Sequence, residues 1–191
     1  VSGIRLPVRA YVGVTAWCLF HVDLVGPETR ITGHPERVPP LARITLPEIE
    51  QHGYLAYPLV DHVADKVTAM LQAHGPRRVP STRYKDLVDL VAIVSQSTVE
   101  ADSQKAALES HIGQRGISLP RTLTVPDRAL WERGYAAEAA RSLLQTALTL
   151  DDALALVAGF LDPLLDGTAA GRWDPGRQRW QPRVPGERAD R

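Results

Sequence analysis

The chain has 191 residues, 22 Lys+Arg against 22 Asp+Glu, and a hydrophobic share of 44%, the profile of an ordinary globular chain of one domain or one with an appendage. Zero net charge excludes a uniformly basic nucleic-acid coat and leaves room for a local basic patch. No apolar run approaches the roughly 18 residues of a membrane span, no secretory signal pattern opens the chain, and one cysteine, Cys18, excludes an internal disulfide and fits a reducing, cytoplasmic compartment.

The chain starts at Val1, read as a GTG start or a cut chain, and its only lysines are Lys66, Lys85 and Lys105, a usage that suggests a GC-rich bacterial gene. The first 25 residues predict a β-hairpin, Leu6 to Gly13 and Trp17 to Val25 around a short turn. Its second strand alternates, with Cys18, Phe20, Val22 and Leu24 on one apolar face and Trp17, Leu19, His21, Asp23 and Val25 on the other. Five prolines make residues 26–47 a loop or edge segment, followed by a short extended piece at Tyr54 to Tyr57.

The remainder reads as helical. Pro58 opens a helix whose stripe is Leu59, Val60, Val63, Val67, Met70 and Leu71, and Gly75-Pro76 stops it. A second helix starts near Ser81 or Thr82, with Tyr84, Leu87, Val88, Leu90, Val91 and Val94 as its stripe. A third runs from about Thr98 to Gln114 and ends at Gly116. A fourth starts at Pro126 and runs to about Leu148; a fifth is capped by Asp151 and ends at Pro163. The tail from Gly171 holds Trp173 and Trp180 around Asp174-Pro175-Gly176, a hairpin or docked strap. Strands first and helices after make the fold class α+β.

Few residues carry a chemical signal. Asp23 on its strand is either solvated or, if buried, in need of a cation or metal. Lys66 flanks the apolar stripe of its helix, where it can snorkel or hold a phosphate, while Asp61 and Asp65 point to the solvent side. Asp86 flanks the next stripe in a first helical turn, where the helix dipole favours it, and Asp89 points away. Arg83 lies nearer that stripe and suits a buried carboxylate. Arg77, Arg78, Arg83 and Lys85 around Tyr84 suit a phosphate backbone or an ordinary solvated loop. The six histidines show no metal-ligand spacing, and no P-loop, dinucleotide or serine-hydrolase motif occurs.

Taken in order, HVDLV at 21–25, VPPL at 38–41, YPLVDHVADKVTAM at 57–70 and RYKDLVDL at 83–90 resemble the AbiEii/AbiGii family of nucleotidyltransferase toxins, including its MenT-type tRNA-modifying members. That resemblance implies a partial DNA-polymerase-β-like nucleotidyltransferase core in the N-terminal strands followed by a helical C-terminal part. It divides the chain into a strand-rich remnant of the core at 1–57, core helices with the Lys and Asp motifs at 58–97, and a helical part with the Trp-containing tail at 98–191. It implies transfer of nucleotides from an NTP to tRNA 3′ ends with Mg²⁺, blocking translation until a cognate antitoxin neutralises the toxin, with no membrane partner. By residue match, Lys66, Asp86 and Asp23 are catalytic; Lys66 and Arg83 bind the nucleotide; Arg77, Arg78 and Lys85 bind RNA; and Asp23 is the metal ligand. Asp23, Lys66 and Asp86 are then expected to converge within roughly 10 Å, the span of a two-metal triphosphate site.

The family's Gly-Ser motif followed by Asp-x-Asp does not occur in the chain. An upstream segment or a truncated paralogue accounts for that, and Glu48-Ile-Glu50 matches the letters only. The chain as given is expected to bind NTP without extending tRNA, since Asp23 alone does not anchor two ions. The alternative is a catalytically incomplete relative acting as an RNA- or antitoxin-binding module.

Overall fold

The computed structural model describes residues 3–26, 31–40, 42, 48, 50–73, 79–118, 120–142 and 149–182. It is a mixed α+β structure of two units, residues 1–31 and 32–191.

The first unit is a hairpin of β1 (Gly3–Val12) and β2 (Thr15–Val25), antiparallel, with Val12 opposite Thr15. Gly13 takes the first place of its two-residue turn at φ +60, a conformation that glycine adopts without steric cost. The register sets Ile4, Leu6 and Val8 opposite Leu24, Val22 and Phe20, so the apolar face read from β2 continues across β1. On the other face Arg5 stands opposite Asp23.

The second unit begins with the short antiparallel pair β3 (Glu36–Val38) and β4 (Tyr54–Ala56), so the proline-rich stretch contributes a strand as well as loop. Five helices follow: α1 (Leu59–Leu71), α2 (Tyr84–Gln96), α3 (Ala101–Arg115), α4 (Arg128–Arg141) and α5 (Leu150–Leu165). Strand β5 (Val99–Glu100) joins β6 (Arg172–Asp174) and β7 (Arg179–Gln181) in a three-stranded antiparallel sheet, which makes the tail a hairpin. Gly116 ends α3 at φ +58, as its position after the periodic stretch implies. α1 ends at Leu71, with Gln72 extended, and α4 runs from Arg128, capped by Asp127, to Arg141, with Ser142 extended. Both helices thus stop short of the expected ends at Gly75-Pro76 and near Leu148, positions that themselves lie outside the described residues.

The boundaries of α5 differ from the sequence reading as well. The cap of α5 is Thr149 rather than Asp151; its hydroxyl accepts the Asp152 N–H while the Asp152 carboxylate accepts the Thr149 N–H, a reciprocal capping box. The helix also runs through Pro163 to Leu165. A proline there deprives only the carbonyl four residues earlier, that of exposed Gly159, which water can reach.

The core lies between α1, α2, α3 and α5. Val63, Val67 and Met70 of α1 and Leu87, Leu90 and Val94 of α2 are fully or almost fully buried, as both stripes require. Trp173 of β6 is also fully buried, its indole N–H donating to the Val94 carbonyl at 2.8 Å and its ring meeting Phe160 edge-on at 5.2 Å. Trp131 of α4 donates to the Ser81 carbonyl at 3.0 Å, and the Ser81 hydroxyl donates to the Ala69 carbonyl at 3.0 Å. The loop entering α2 is thereby tied to both α1 and α4.

Two helical glycines give opposite expectations. Gly159 in α5 is exposed, and an added Cβ meets nothing within 4 Å; Gly159→Ala should raise stability by about 0.5–1 kcal/mol through helix propensity. At Gly134 in α4 a Cβ would collide with the Tyr84 ring, so Gly134→Ala should lower stability by about 1–3 kcal/mol as the ring is forced aside. Urea unfolding of the two variants checks both signs.

Candidate active site

The chemistry-bearing side chains collect where α1 meets α2. The middle of α1 supplies Lys66, whose side chain is only 8% exposed although it carries a full charge. A lysine so placed needs carboxylates, and α2 supplies two, one turn apart. The Lys66 ammonium donates to Asp89 Oδ2 at 2.6 Å and, more weakly, to Asp86 Oδ1 at 3.4 Å. Asp86 is as buried as Lys66, its side chain 7% exposed, whereas Asp89 is 29% exposed.

Both carboxylates have a second cation. Arg83, the N-cap residue of α2, donates from Nε to Asp86 Oδ2 and from its terminal nitrogen to Asp86 Oδ1 at 3.3 Å. Asp86 occupies the first turn, where the helix dipole adds to the attraction. Lys85 donates to both oxygens of Asp89 at 3.2 and 3.0 Å, a pair four residues apart on one helix face. Three cations thus face two carboxylates. The hydrogen bond with Asp86 raises the Arg83 guanidinium above its ordinary range. Burial pushes the Asp89 carboxyl up, but hydrogen bonds from Lys66 and Lys85 outweigh it and hold the group below its ordinary value.

A folded-state carboxyl below its unfolded value contributes stability that is present above the unfolded pKa of about 3.9 and is lost as pH falls through the folded value. The stability difference between wild type and Asp89→Asn should therefore be largest above about pH 4 and shrink on further acidification. Urea unfolding of both proteins between neutral pH and pH 3 measures it.

The structure brings together Lys66, Asp86, Arg83 and Lys85 from the expected site residues. It corrects the expectation that Asp89 points away: Asp89 is the nearest carboxylate to Lys66. Part of this was legible, because Lys85 four residues before Asp89 is a standard helix pair. What the wheel of α2 alone did not show is that α1 packs close enough for Lys66 to reach across. Arg77 and Arg78 lie outside the described residues.

Asp61 is corrected too. Far from facing solvent, it is fully buried at the start of α1. Its carboxylate accepts the backbone N–H of Thr32 at 3.0 Å and of Gly33 at 2.8 Å, and lies 3.5 Å from His111 Nε2 of α3. The third residue of a helix often bonds back to the N-cap N–H, but the N-cap here is Pro58, which has none. The carboxylate turns to the incoming chain instead. Asp65 is half-buried rather than solvated and pairs with Arg115 of α3.

Asp23 belongs to the hairpin unit, where Arg5 grips it with two hydrogen bonds of 2.6 and 2.8 Å on an exposed face. Those bonds hold the Asp23 carboxyl below its ordinary value. The described residues do not fit a two-metal centre. Asp23 is taken up by Arg5, Asp86 and Asp89 are each shared by two cations, and among the described residues no group of three His, Cys, Asp or Glu side chains is placed to hold a metal. Glu50, of the coincidental Glu-Ile-Glu, lies beside His52 at 3.9 Å.

A lysine flanked by two further cations, at the first turns of a helix, can hold phosphate groups. The span that carries it has a known counterpart: residues 20–158 match the family model of the nucleotidyl transferase AbiEii toxin of type IV toxin–antitoxin systems. No curated protein and no solved structure gives a significant match. The match covers most of the chain, which belongs to the AbiEii family of nucleotidyl transferase toxins.

Proposed function

We propose that this AbiEii family member grips the triphosphate of an NTP with Lys66 and transfers the nucleotide to the 3′ end of a tRNA, as MenT-type toxins do, until a cognate antitoxin counters it. The observation that supports the reading is the Lys66 ammonium, nearly buried yet reaching two carboxylates of the neighbouring helix at 2.6 and 3.4 Å. A structural lysine would gain more by snorkelling to water.

In the transfer, a 3′-hydroxyl oxygen attacks the α-phosphorus as its proton passes to water, the bond from the α-phosphorus to the bridging oxygen breaks, and pyrophosphate leaves with added negative charge. In this reading Lys66 and Arg83 are the fixed cations that stabilise that charge. Asp86 orients both by accepting from each. Lys85, its side chain 72% exposed although it pairs with Asp89, is an RNA-phosphate contact in this reading, with Arg77 and Arg78 in the same basic stretch of the sequence. Mg²⁺, which the family resemblance implies, would supply charge neutralisation at the reacting phosphate when bound. Asp23, the ligand expected by motif, is held by Arg5 in the hairpin unit, and no role given above to Lys66, Arg83 or Asp86 depends on that ion. The DNA-polymerase-β-like core and the cytoplasmic setting are part of the same proposal; among the described residues no helix is long and apolar enough to cross a membrane.

A second reading, a family member that binds RNA or antitoxin without transfer, is favoured by one observation: both carboxylates of the cluster and Asp23 are already ion-paired. Equilibrium binding of each labelled NTP, followed by addition of tRNA and Mg²⁺, separates the two. Label on tRNA supports transfer. NTP retention with tRNA bound but unlabelled, persisting after a segment carrying Gly-Ser and Asp-x-Asp is joined upstream, supports the second reading. Retention of neither NTP nor tRNA overturns transfer and leaves antitoxin binding alone.

A further inference from the structure

The geometry points to Asp89 as a built-in stand-in for a phosphate group, one that a polyphosphate must displace to reach Lys66. The inference rests on the reading of Lys66 as the phosphate anchor. One oxygen of Asp89, Oδ2, lies 2.6 Å from the Lys66 ammonium and 3.0 Å from that of Lys85. A single anionic oxygen bridging two ammonium groups is the arrangement a phosphate oxygen takes between two lysines.

Asp89 is also the carboxylate able to leave. Asp86 is held on both oxygens by Arg83 and is 7% exposed, whereas Asp89, at 29%, is the more exposed of the two carboxylates. Lys66 itself is 8% exposed, so a ligand engages its ammonium only as a group already bonded to it gives way. Exchange of one anion for another keeps Lys66 paired throughout, so no buried charge is left uncompensated at any stage. A monoanionic carboxylate yields most readily to a ligand of higher charge that can engage Lys66 and Lys85 together. The displacing class is therefore a di- or triphosphate rather than a monophosphate. In the free protein Asp89 offsets part of the positive charge of the cluster, at the expense of affinity.

The test is calorimetric titration of inorganic pyrophosphate into wild type, Asp89→Asn, Asp65→Asn and Lys66→Met, each checked for folding by its melting profile. Asp89→Asn keeps the side-chain shape and removes the competing charge. It should bind pyrophosphate about tenfold more tightly than wild type, the equivalent of about 1.4 kcal/mol. Asp89→Ser, also neutral, should show the same direction and serves if the Asn variant folds poorly. Asp65→Asn removes a carboxylate that does not touch Lys66 and should leave affinity near wild type. An Asp89 variant that binds no more tightly than wild type, or an equal gain in Asp65→Asn, overturns the stand-in even if Lys66→Met loses binding. Lys66→Met binding at wild-type strength overturns the anchor reading itself, and the inference with it. The absence of pyrophosphate binding in every variant does the same.

Discussion

Asp61→Ala should lower unfolding free energy by about 3 kcal/mol, the scale of two hydrogen bonds to a charged acceptor at about 1.5–3 kcal/mol each, less what water recovers. The carboxylate is fully buried, and it ties the first turn of α1 to the 32–33 segment by accepting the Thr32 and Gly33 N–H groups. Part of the loss is tempered because Thr32 is exposed and its N–H can turn to solvent. Gly33 has less freedom: an added Cβ there would press on Pro58 and Val60 at 2.7 Å. A further cost falls on His111, whose Nε2 has no hydrogen-bond partner and faces Asp61 at 3.5 Å. Asp61→Asn, which keeps the volume and one acceptor, should lose less than the alanine variant. Urea unfolding followed by tryptophan fluorescence measures both, and an alanine variant within about 0.5 kcal/mol of wild type, the ordinary range for surface changes, would mean that the segment holds without the carboxylate.

The two aspartates of α1 that the sequence misplaced, Asp61 and Asp65, fail for one physical reason. An apolar stripe reports the largest buried face of a helix, and α1 has more than one. Val63, Val67 and Met70 mark the expected face, but Ala64, Thr68 and Ala69 are equally buried because their small side chains let neighbours approach. A helix enclosed on several sides buries polar residues that a wheel assigns to water, and Asp61 and Lys66 then need partners from elsewhere in the chain. Elements set by local chemistry were legible: the β1–β2 hairpin, the glycine end of α3 and the Trp-bearing tail hairpin all follow from turn and cap residues. Pairings that depend on how two helices pack were not. Lys66 with Asp89 is 23 residues apart, and no periodicity within either helix encodes it. The family motif was legible because it strings both helices into one ordered pattern, and that order carried Lys66, Arg83, Lys85 and Asp86 together.

Lys66→Met separates function from folding, and its two readouts should diverge. Breaking a buried ion pair by deleting one member usually costs about 3–5 kcal/mol, because the other charge is left alone. That does not apply to this cluster. When Lys66 is removed, Asp86 keeps both hydrogen bonds from Arg83, and Asp89 keeps both from Lys85. Each carboxylate retains one cation, and methionine fills the space of the lysine stem without a charge to desolvate. Stability should therefore change by less than about 1 kcal/mol in either direction. NTP binding should nevertheless fall by about 100-fold or more, since a charge-assisted contact of an ammonium with phosphate in a poorly hydrated site contributes about 3 kcal/mol. Lys66→Arg should not rescue it, because a planar guanidinium does not fit between Asp86 and Asp89 as a compact ammonium does. A variant that loses stability in step with NTP binding would identify Lys66 as a structural pin between α1 and α2. Unchanged stability with lost binding is the signature of a lysine whose buried position serves the ligand.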